Sequence, residues 1–196
     1  MILVYAPHGG YNPGALSSTT DLREADVNLI VVMYLGELLL GLGYDVNYTR
    51  TENVDVTLTQ RANMANEAGA DYFISVHCNS SVSPEAKGTE TFYYKKNTTA
   101  ERLAKNVQQS LVNRIQQPDR GVDTANFAVL RKTYMPAILV ELAFISNPEE
   151  SLLLGNTSFQ QSCAKGISEG IQNFLNNNII PTSIPRRRRN YLFWKR

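Results

Sequence analysis

The side chains best suited to chemistry fall at the ends of predicted strands. The chain has only two histidines, and His8 and His77 each follow a short apolar run. Glu141 ends the apolar run 137–140 in the same way, and Glu24 opens the first long helix. Because ligands bind outside the carboxyl ends of the strands in open α/β sheets, we expect these four side chains to meet at one edge of the sheet.

Two histidines and one carboxylate can bind a zinc ion and leave a coordination position for water. A second carboxylate would supply the general base and acid that metal-assisted hydrolysis needs. Structural roles stay open for three of the residues, because a histidine at a strand end is often hydrogen-bonded and a glutamate at a helix start often faces the helix dipole. A buried Glu141 favours a functional role, since burying an unpaired carboxylate is expensive.

Strand and helix patterns alternate along the chain, which predicts a single α/β domain with a largely parallel sheet covered on both faces. The predicted strands are 2–6, 44–49, 71–77, 89–94, 127–131 and 137–141, and the predicted helices are 24–42, 57–68, 98–115 and 158–176, with a short helix from 147. Thr98 or Thr99 is the expected cap of the third helix. The most apolar stretch, 27–42, is shorter than the ~20 residues of a membrane span and is expected to be a core helix.

Composition narrows the class of protein. Among 196 residues, 43% are hydrophobic and 19% are charged, which excludes a disordered chain, a collagen-like fibre and a disulfide scaffold. Six of the 19 basic residues lie in the last eleven positions, so the rest of the chain is mildly acidic and does not favour nucleic-acid binding. Cys78 and Cys163 form no CxxC pair and are expected to be reduced thiols. No signal peptide or transmembrane segment is predicted.

Seven segments, taken in order, resemble the zinc-dependent N-acetylmuramoyl-L-alanine amidases of the type 3 catalytic domain. They are His8-Gly9-Gly10 with 12–15, Glu24-x-x-Val27-Asn28-Leu29, 49–51 with 61–63, 75–79, 88–94, 120–122 and 136–147. The resemblance covers residues 1 to about 176. It implies a mixed, mainly parallel sheet of about six strands covered by helices on both faces.

The resemblance also implies an activity and a site. The family hydrolyses the amide between the lactyl group of N-acetylmuramic acid and L-alanine in peptidoglycan. One Zn²⁺ ion would be bound by His8, Glu24 and His77, and Glu141 would be the catalytic glutamate. Asn79, or backbone N–H groups near Gly9 and Gly10, would hold the substrate or its oxyanion. Apart from the resemblance, the position of Arg131 on a predicted strand near this edge suits binding of the acidic stem peptide or a surface ion pair.

Three positions depart from the usual family pattern. Tyr5 stands where aspartate is common, Pro7 where glycine is usual and Cys78 where alanine is more common. Because proline fixes φ, we expect a changed loop before His8. Because side chains alternate along a strand, we expect Cys78 to face away from His77.

We predict a catalytic domain at residues 1–176 and a basic, aromatic tail at 177–196. The tail is expected to attach weakly to an anionic wall polymer or membrane surface, unless it is a simple solvated terminus. We expect a monomer that acts on the cell wall, with peptidoglycan as substrate. Two other functions stay open: a zinc carboxypeptidase-like hydrolase of stem peptides and a non-catalytic wall-binding module. A phage lysin is the favoured biological role over a sporulation enzyme or an autolysin.

Overall fold

A computed structural model describes residues 1–177, and the predicted basic tail therefore lies almost wholly outside the described residues. A six-stranded sheet with the order β2-β1-β3-β6-β4-β5 forms its centre. The strands are β1 Ile2–Tyr5, β2 Val46–Tyr48, β3 Tyr72–Asn79, β4 Thr89–Tyr93, β5 Asp119–Thr124 and β6 Ala137–Phe144. All neighbours are parallel except β4 and β6. The predicted mixed, mainly parallel sheet is confirmed.

Helices cover both faces of the sheet, as predicted. They are α1 Glu24–Gly41, α2 Leu58–Glu67, α3 Thr98–Ile115, α4 Ala128–Lys132, α5 Pro148–Leu154 and α6 Thr157–Asn177. Side chains of α1, α3 and α6 form the larger hydrophobic core with one face, and side chains near α2 and α4 form a smaller core with the other. No helix within residues 1–177 is both long enough and apolar enough to cross a bilayer.

Strand alternation decides which side chains reach the site. Val76 and Val140 point into the larger core, so His77 and Glu141 lie on the opposite face of the sheet. These two residues are direct partners in the parallel register of β3 and β6. Both strands run two or three residues further than predicted, so neither side chain is terminal. The sheet therefore holds them on its own backbone rather than on a loop.

One predicted strand was wrong. Residues 127–131 form the start and body of helix α4, with Val129 and Leu130 buried in the smaller core. The strand that the sequence pattern missed is β5. It pairs with β4 through its backbone and carries few apolar side chains. A mostly exposed edge strand gives little hydrophobic signal, which explains why the sequence pattern missed it. The cap of α3 is Asn97, whose side chain accepts from the Ala100 N–H, rather than Thr98 or Thr99.

Helices α3 and α6 approach each other closely because α6 carries glycine at the contact. A Cβ atom on Gly170 would lie 2.4 Å from Cα of Val107. By contrast, a Cβ on Gly41, at the end of α1, would meet nothing within 4 Å.

We predict that Gly170→Ala lowers the free energy of unfolding by about 1–3 kcal/mol, because the added methyl group overpacks the helix contact. Gly41→Ala is the matched control and should raise it by up to about 1 kcal/mol, since alanine favours the helix. Denaturant unfolding of both variants measures the difference. A stabilised Gly170→Ala protein would contradict the close contact.

Candidate metal centre

The carboxylate of Glu24, the first residue of α1, lies between the two histidines. Its Oε1 is 3.0 Å from Nδ1 of His77, and its Oε2 is 3.2 Å from Nε2 of His8. The Asn28 amide and the Ala15 N–H also donate to this carboxylate, at 3.2 and 2.9 Å. Burial alone would raise the pKa of Glu24, but the hydrogen bonds with both histidines outweigh it and hold that pKa well below its usual range. Glu24 is therefore ionised, as a metal ligand must be.

The loop after β1 presents His8 in a left-handed conformation, with φ of 59°. Oδ1 of Asn12 lies 3.1 Å from Nδ1 of His8 and accepts the Gly14 N–H at 3.0 Å. This contact leaves Nε2 of His8 facing Glu24. A Cβ atom on Gly14 would lie 2.6 Å from Oε2 of Glu24 and 2.7 Å from Cδ2 of His8. Glycine at this position therefore lets the loop close over both side chains.

Two buried arginines hold this loop through backbone carbonyls. Arg50 and Arg61 are 4% and 1% exposed, and neither forms an ion pair within residues 1–177. They donate to the carbonyl oxygens of Ala6, Pro7, His8, Ala25, Glu52 and Val56. Burial lowers the pKa of Arg50 to about 10 and also lowers that of Arg61. The two guanidinium groups thus satisfy carbonyls that would otherwise be buried without donors.

Tyr5 and Cys78, two residues expected to depart from the family pattern, both contact residues of the site. The Tyr5 ring lies 4.8 Å from the guanidinium carbon of Arg61 and packs edge-on against His77, with ring centroids 6.0 Å apart. Burial raises the pKa of Tyr5 to about 12. Cys78 faces the larger core and its Sγ donates to Oδ1 of Asn28 at 3.4 Å, so it points away from His77 as predicted. Cys78 and Cys163 are both free and buried.

Glu141 lies on the same face of the sheet as His77. Its partner on the other side, in the antiparallel register of β4 and β6, is Glu90. Burial raises the pKa of Glu141 well above its ordinary value, and the carboxylates of Glu24 and Glu90 raise it further. Oε2 of Glu141 is buried and has no hydrogen-bond partner among residues 1–177.

Glu150 is a second buried carboxylate, and its contacts are those of a structural residue. Glu150 accepts the Gly88 N–H at 2.7 Å on one oxygen and the Phe144 N–H at 2.6 Å on the other. Both of its oxygens are therefore satisfied. Because leaving a buried carboxylate oxygen without a donor is expensive, Glu141 is distinguished as a group kept available for chemistry.

His8, Glu24 and His77 can hold a metal ion together. One ligand atom from each lies within 4.8 Å of the others. Two imidazole nitrogens and one carboxylate oxygen suit zinc and leave a fourth position open. Burial lowers the pKa of His77 despite its contact with Glu24, which favours the neutral imidazole that metal binding requires. The donor set therefore fits a catalytic rather than a closed structural ion.

Comparison with known proteins identifies the family of the chain. Residues 2–173 match the family described as N-acetylmuramoyl-L-alanine amidase. The chain belongs to this family. It is 32% identical to the amidase AmiC of Neisseria meningitidis, over 92% of this chain and 54% of that protein. It is 36% identical to the endolysin of Bacillus phage SPP1, over 90% of this chain and 66% of that protein.

Solved structures extend the likeness to the fold. The N-acetylmuramoyl-L-alanine amidase from Clostridium difficile 630 has a TM-score of 0.86 and 34% identity, covering 90% of this chain and 97% of that one. The catalytic domain of the amidase CwlV from Bacillus (Paenibacillus) polymyxa has a TM-score of 0.85 and 31% identity, covering 89% of this chain and 97% of that one. By contrast, the chain spans only about half the length of the Neisseria relative.

The predicted substrate residues of this amidase-family chain make contacts within the protein. Asn79 donates to Oε1 of Glu90 at 2.5 Å and accepts the Ser80 N–H at 2.8 Å. Arg131 lies on helix α4 and not on a strand, and it donates to the carbonyl and side-chain oxygens of Asn126. The roles of Asn79 and Arg131 in substrate binding stay predictions.

The two N–H groups suggested for the oxyanion already have acceptors. The Gly9 N–H donates to the Asn12 carbonyl at 2.8 Å, and the Gly10 N–H donates to the Asn53 side chain at 2.9 Å. In this conformation of the loop, neither N–H is free to bind an oxyanion.

Sequence reasoning gave no role to several residues that shape the site. Asn28 could have been found, because it lies four residues after Glu24 on a helix and such residues are neighbours. Asn12 and Gly14 act through loop geometry, and no regular spacing reveals that. Arg50 and Arg61 resemble ordinary surface arginines in a sequence, so only the fold shows that they are buried.

We predict that Arg61→Met weakens zinc binding by about 10- to 100-fold, as loss of a group that orients a metal ligand does. It should also lower the free energy of unfolding by about 1–3 kcal/mol for each carbonyl left without a donor. Arg114→Met is the control, because Arg114 is an exposed partner of Glu169. Zinc titration of the folded, metal-free proteins is the measurement. Unchanged zinc affinity in folded Arg61→Met would contradict the role of Arg61 in holding the His8 loop.

Glu141 also predicts a pH dependence of stability in the metal-free protein. Its pKa in the folded state is raised above the unfolded value of about 4.3. Its contribution to stability is therefore fully present below about pH 4 and is lost as pH rises through the folded pKa. The side chain in Glu141→Gln cannot ionise, so this variant keeps that contribution at every pH. Its free energy of unfolding should therefore increase relative to that of the parent as pH rises from 4 to 8. A stability difference that is the same at every pH would contradict this.

Proposed function

We propose that the chain is a zinc-dependent hydrolase of the amide between the N-acetylmuramic acid lactyl group and L-alanine in peptidoglycan. The observation that carries this proposal is the meeting of His8, Glu24 and His77 with the unsatisfied carboxylate of Glu141 on one face of the sheet. Membership of the amidase family supports the choice of bond. The names of the relatives, an endolysin among them, support the cell wall as the place of action.

His8, Glu24 and His77 would hold the zinc ion. When bound in such a site, zinc activates water and polarises the scissile carbonyl. Glu24 fixes the spacing of the two histidines, and Asn12 orients the imidazole of His8.

Glu141 would act as the general base and then as the general acid. Its carboxylate would accept the proton of the attacking water and return a proton to the amine nitrogen of the leaving alanine. Burial raises the pKa of Glu141, which suits this double role because a carboxyl group that holds its proton more firmly can both accept and return one. Cross-strand pairing with His77 would fix the distance between this carboxylate and the metal ligands.

The two other functions make different predictions. A carboxypeptidase-like hydrolase would release a free amino acid from the stem peptide, whereas the amidase separates the whole peptide from the glycan. A wall-binding module would have no need of Glu141. The lack of a hydrogen-bond partner for its Oε2 atom within residues 1–177 favours an enzyme, since a binding module gains nothing from that energetic cost.

We further propose that residues 1–176 are the catalytic domain of a monomer and that the basic tail at 177–196 attaches weakly to anionic wall polymer or to a membrane surface. Release through a membrane pore, as for a phage lysin, would bring such an enzyme to its substrate. Deleting residues 181–196 should lower wall attachment and leave hydrolysis of soluble muropeptides intact.

We predict that purified peptidoglycan loses turbidity and gains L-alanine amino termini when the protein is supplied with zinc, and that a chelator stops this reaction. Glu141→Gln should lower kcat by about 10²–10⁴-fold while zinc affinity is retained, because proton transfer is lost and the ligands are not. Glu37→Gln, on the outer part of α1, is the matched control. Free amino acids as products would support the carboxypeptidase instead, and zinc binding without any product would support the wall-binding module.

A further inference from the structure

A small pocket adjoins the predicted site on the face of the sheet that carries Glu141. It has a volume of about 190 Å³. His77 and Glu141 form its polar end. Its remaining walls are apolar and come from the sheet and from the first turns of α2 and α4, with Tyr5, Leu58, Phe127, Ala128, Val129 and Leu139.

Apolar surface is left uncovered at this pocket. Leu58 is 53% exposed and Phe127 is 40% exposed. Pockets lined by apolar groups with a few polar groups at one end are typical of ligand sites. The volume is below the roughly 300–1,000 Å³ of a whole ligand site, so it suits one side chain rather than a sugar ring.

The chemistry of Glu141 indicates which side chain this is. If Glu141 returns a proton to the leaving amine, that nitrogen must lie within hydrogen-bond reach of its carboxylate. The α-carbon of the leaving residue is bonded to that nitrogen and carries the side chain. The side chain therefore lies next to the same carboxylate. The acyl part of the substrate would lie instead toward His8, Glu24 and His77, where a bound zinc ion would polarise its carbonyl.

We propose that this pocket receives the side chain of the residue that carries the leaving amine, and that Ala128 and Leu58 set the size of the side chain accepted. The proposal rests on the proposed amidase function. In the natural substrate the side chain is the methyl group of L-alanine. The space beyond a methyl group indicates that somewhat larger apolar side chains are also accepted.

The test uses soluble muropeptides with glycine, L-alanine or L-valine at the first stem position, and a fourth in which a glycolyl group replaces the lactyl group. kcat/KM is measured for the zinc-loaded enzyme and its variants. The parent enzyme should prefer L-alanine to glycine by about tenfold or more, as expected for one methyl group in an apolar pocket. Ratios between substrates are informative because damage to the fold lowers all the rates together.

Two variants change the pocket in opposite directions. Ala128→Leu fills it and should reduce the preference for L-alanine over glycine to within about twofold. Leu58→Ala widens it and should raise the rate for L-valine relative to L-alanine several-fold. Leu40→Ala is the matched control, because Leu40 is 51% exposed, also lies on a helix and does not line the pocket. It should leave every ratio unchanged.

The other outcomes overturn the proposal in distinguishable ways. Hydrolysis with the same L-alanine to glycine ratio in Ala128→Leu and in the parent would overturn the assignment of the pocket alone. If Ala128→Leu instead removes the preference for lactyl over glycolyl, the pocket holds the lactyl methyl group, and the assignment to the leaving residue is wrong. No hydrolysis of any of the four substrates would overturn the amidase function, and the pocket assignment with it.

Discussion

The bridging carboxylate of Glu24 is the contact on which the site depends. His8 comes from the loop after β1, His77 from near the carboxyl end of β3, and Glu24 from the start of α1. Three separate parts of the chain therefore meet at one side chain. Each oxygen faces one histidine and also accepts a further donor, from Asn28 or from the Ala15 backbone. Because both oxygens are directed in this way, the carboxylate fixes the spacing of the imidazoles before any ion binds. The site is therefore preorganised by hydrogen bonds that a metal ion can replace.

A preorganised loop needs its own support, and the two buried arginines supply it. A short loop that turns through a left-handed histidine exposes carbonyl groups to the interior, where a missing donor is expensive. Arg50 and Arg61 offer several fixed N–H donors each and can serve carbonyls from several segments at once. Lysine could not do this with a single ammonium group.

Much of this arrangement could be predicted from the sequence, and the reasons for the failures are physical. The apolar runs before His8 and His77 predict the strands that position these histidines, because a buried strand has a strongly hydrophobic sequence. Edge strand β5 leaves almost none, and α4 begins with three adjacent apolar residues that fit a strand as well as a helix turn. The carbonyl contacts of Arg50 and Arg61 depend on loop shape over distant parts of the chain. They are long-range consequences of the fold, and no local spacing encodes them.

Tyr5 connects the support of the loop with the substrate side of the site. An aspartate at this position would lie against the buried guanidinium of Arg61 and compete with the backbone carbonyls for its donors. The tyrosine ring instead packs under that guanidinium and leaves the donors to the loop. The same ring forms part of the apolar floor of the pocket beside Glu141. Tyrosine at this position thus keeps a charge out of the interior and makes the wall next to Glu141 apolar. Electrostatic interactions are stronger beside such an apolar wall than in water.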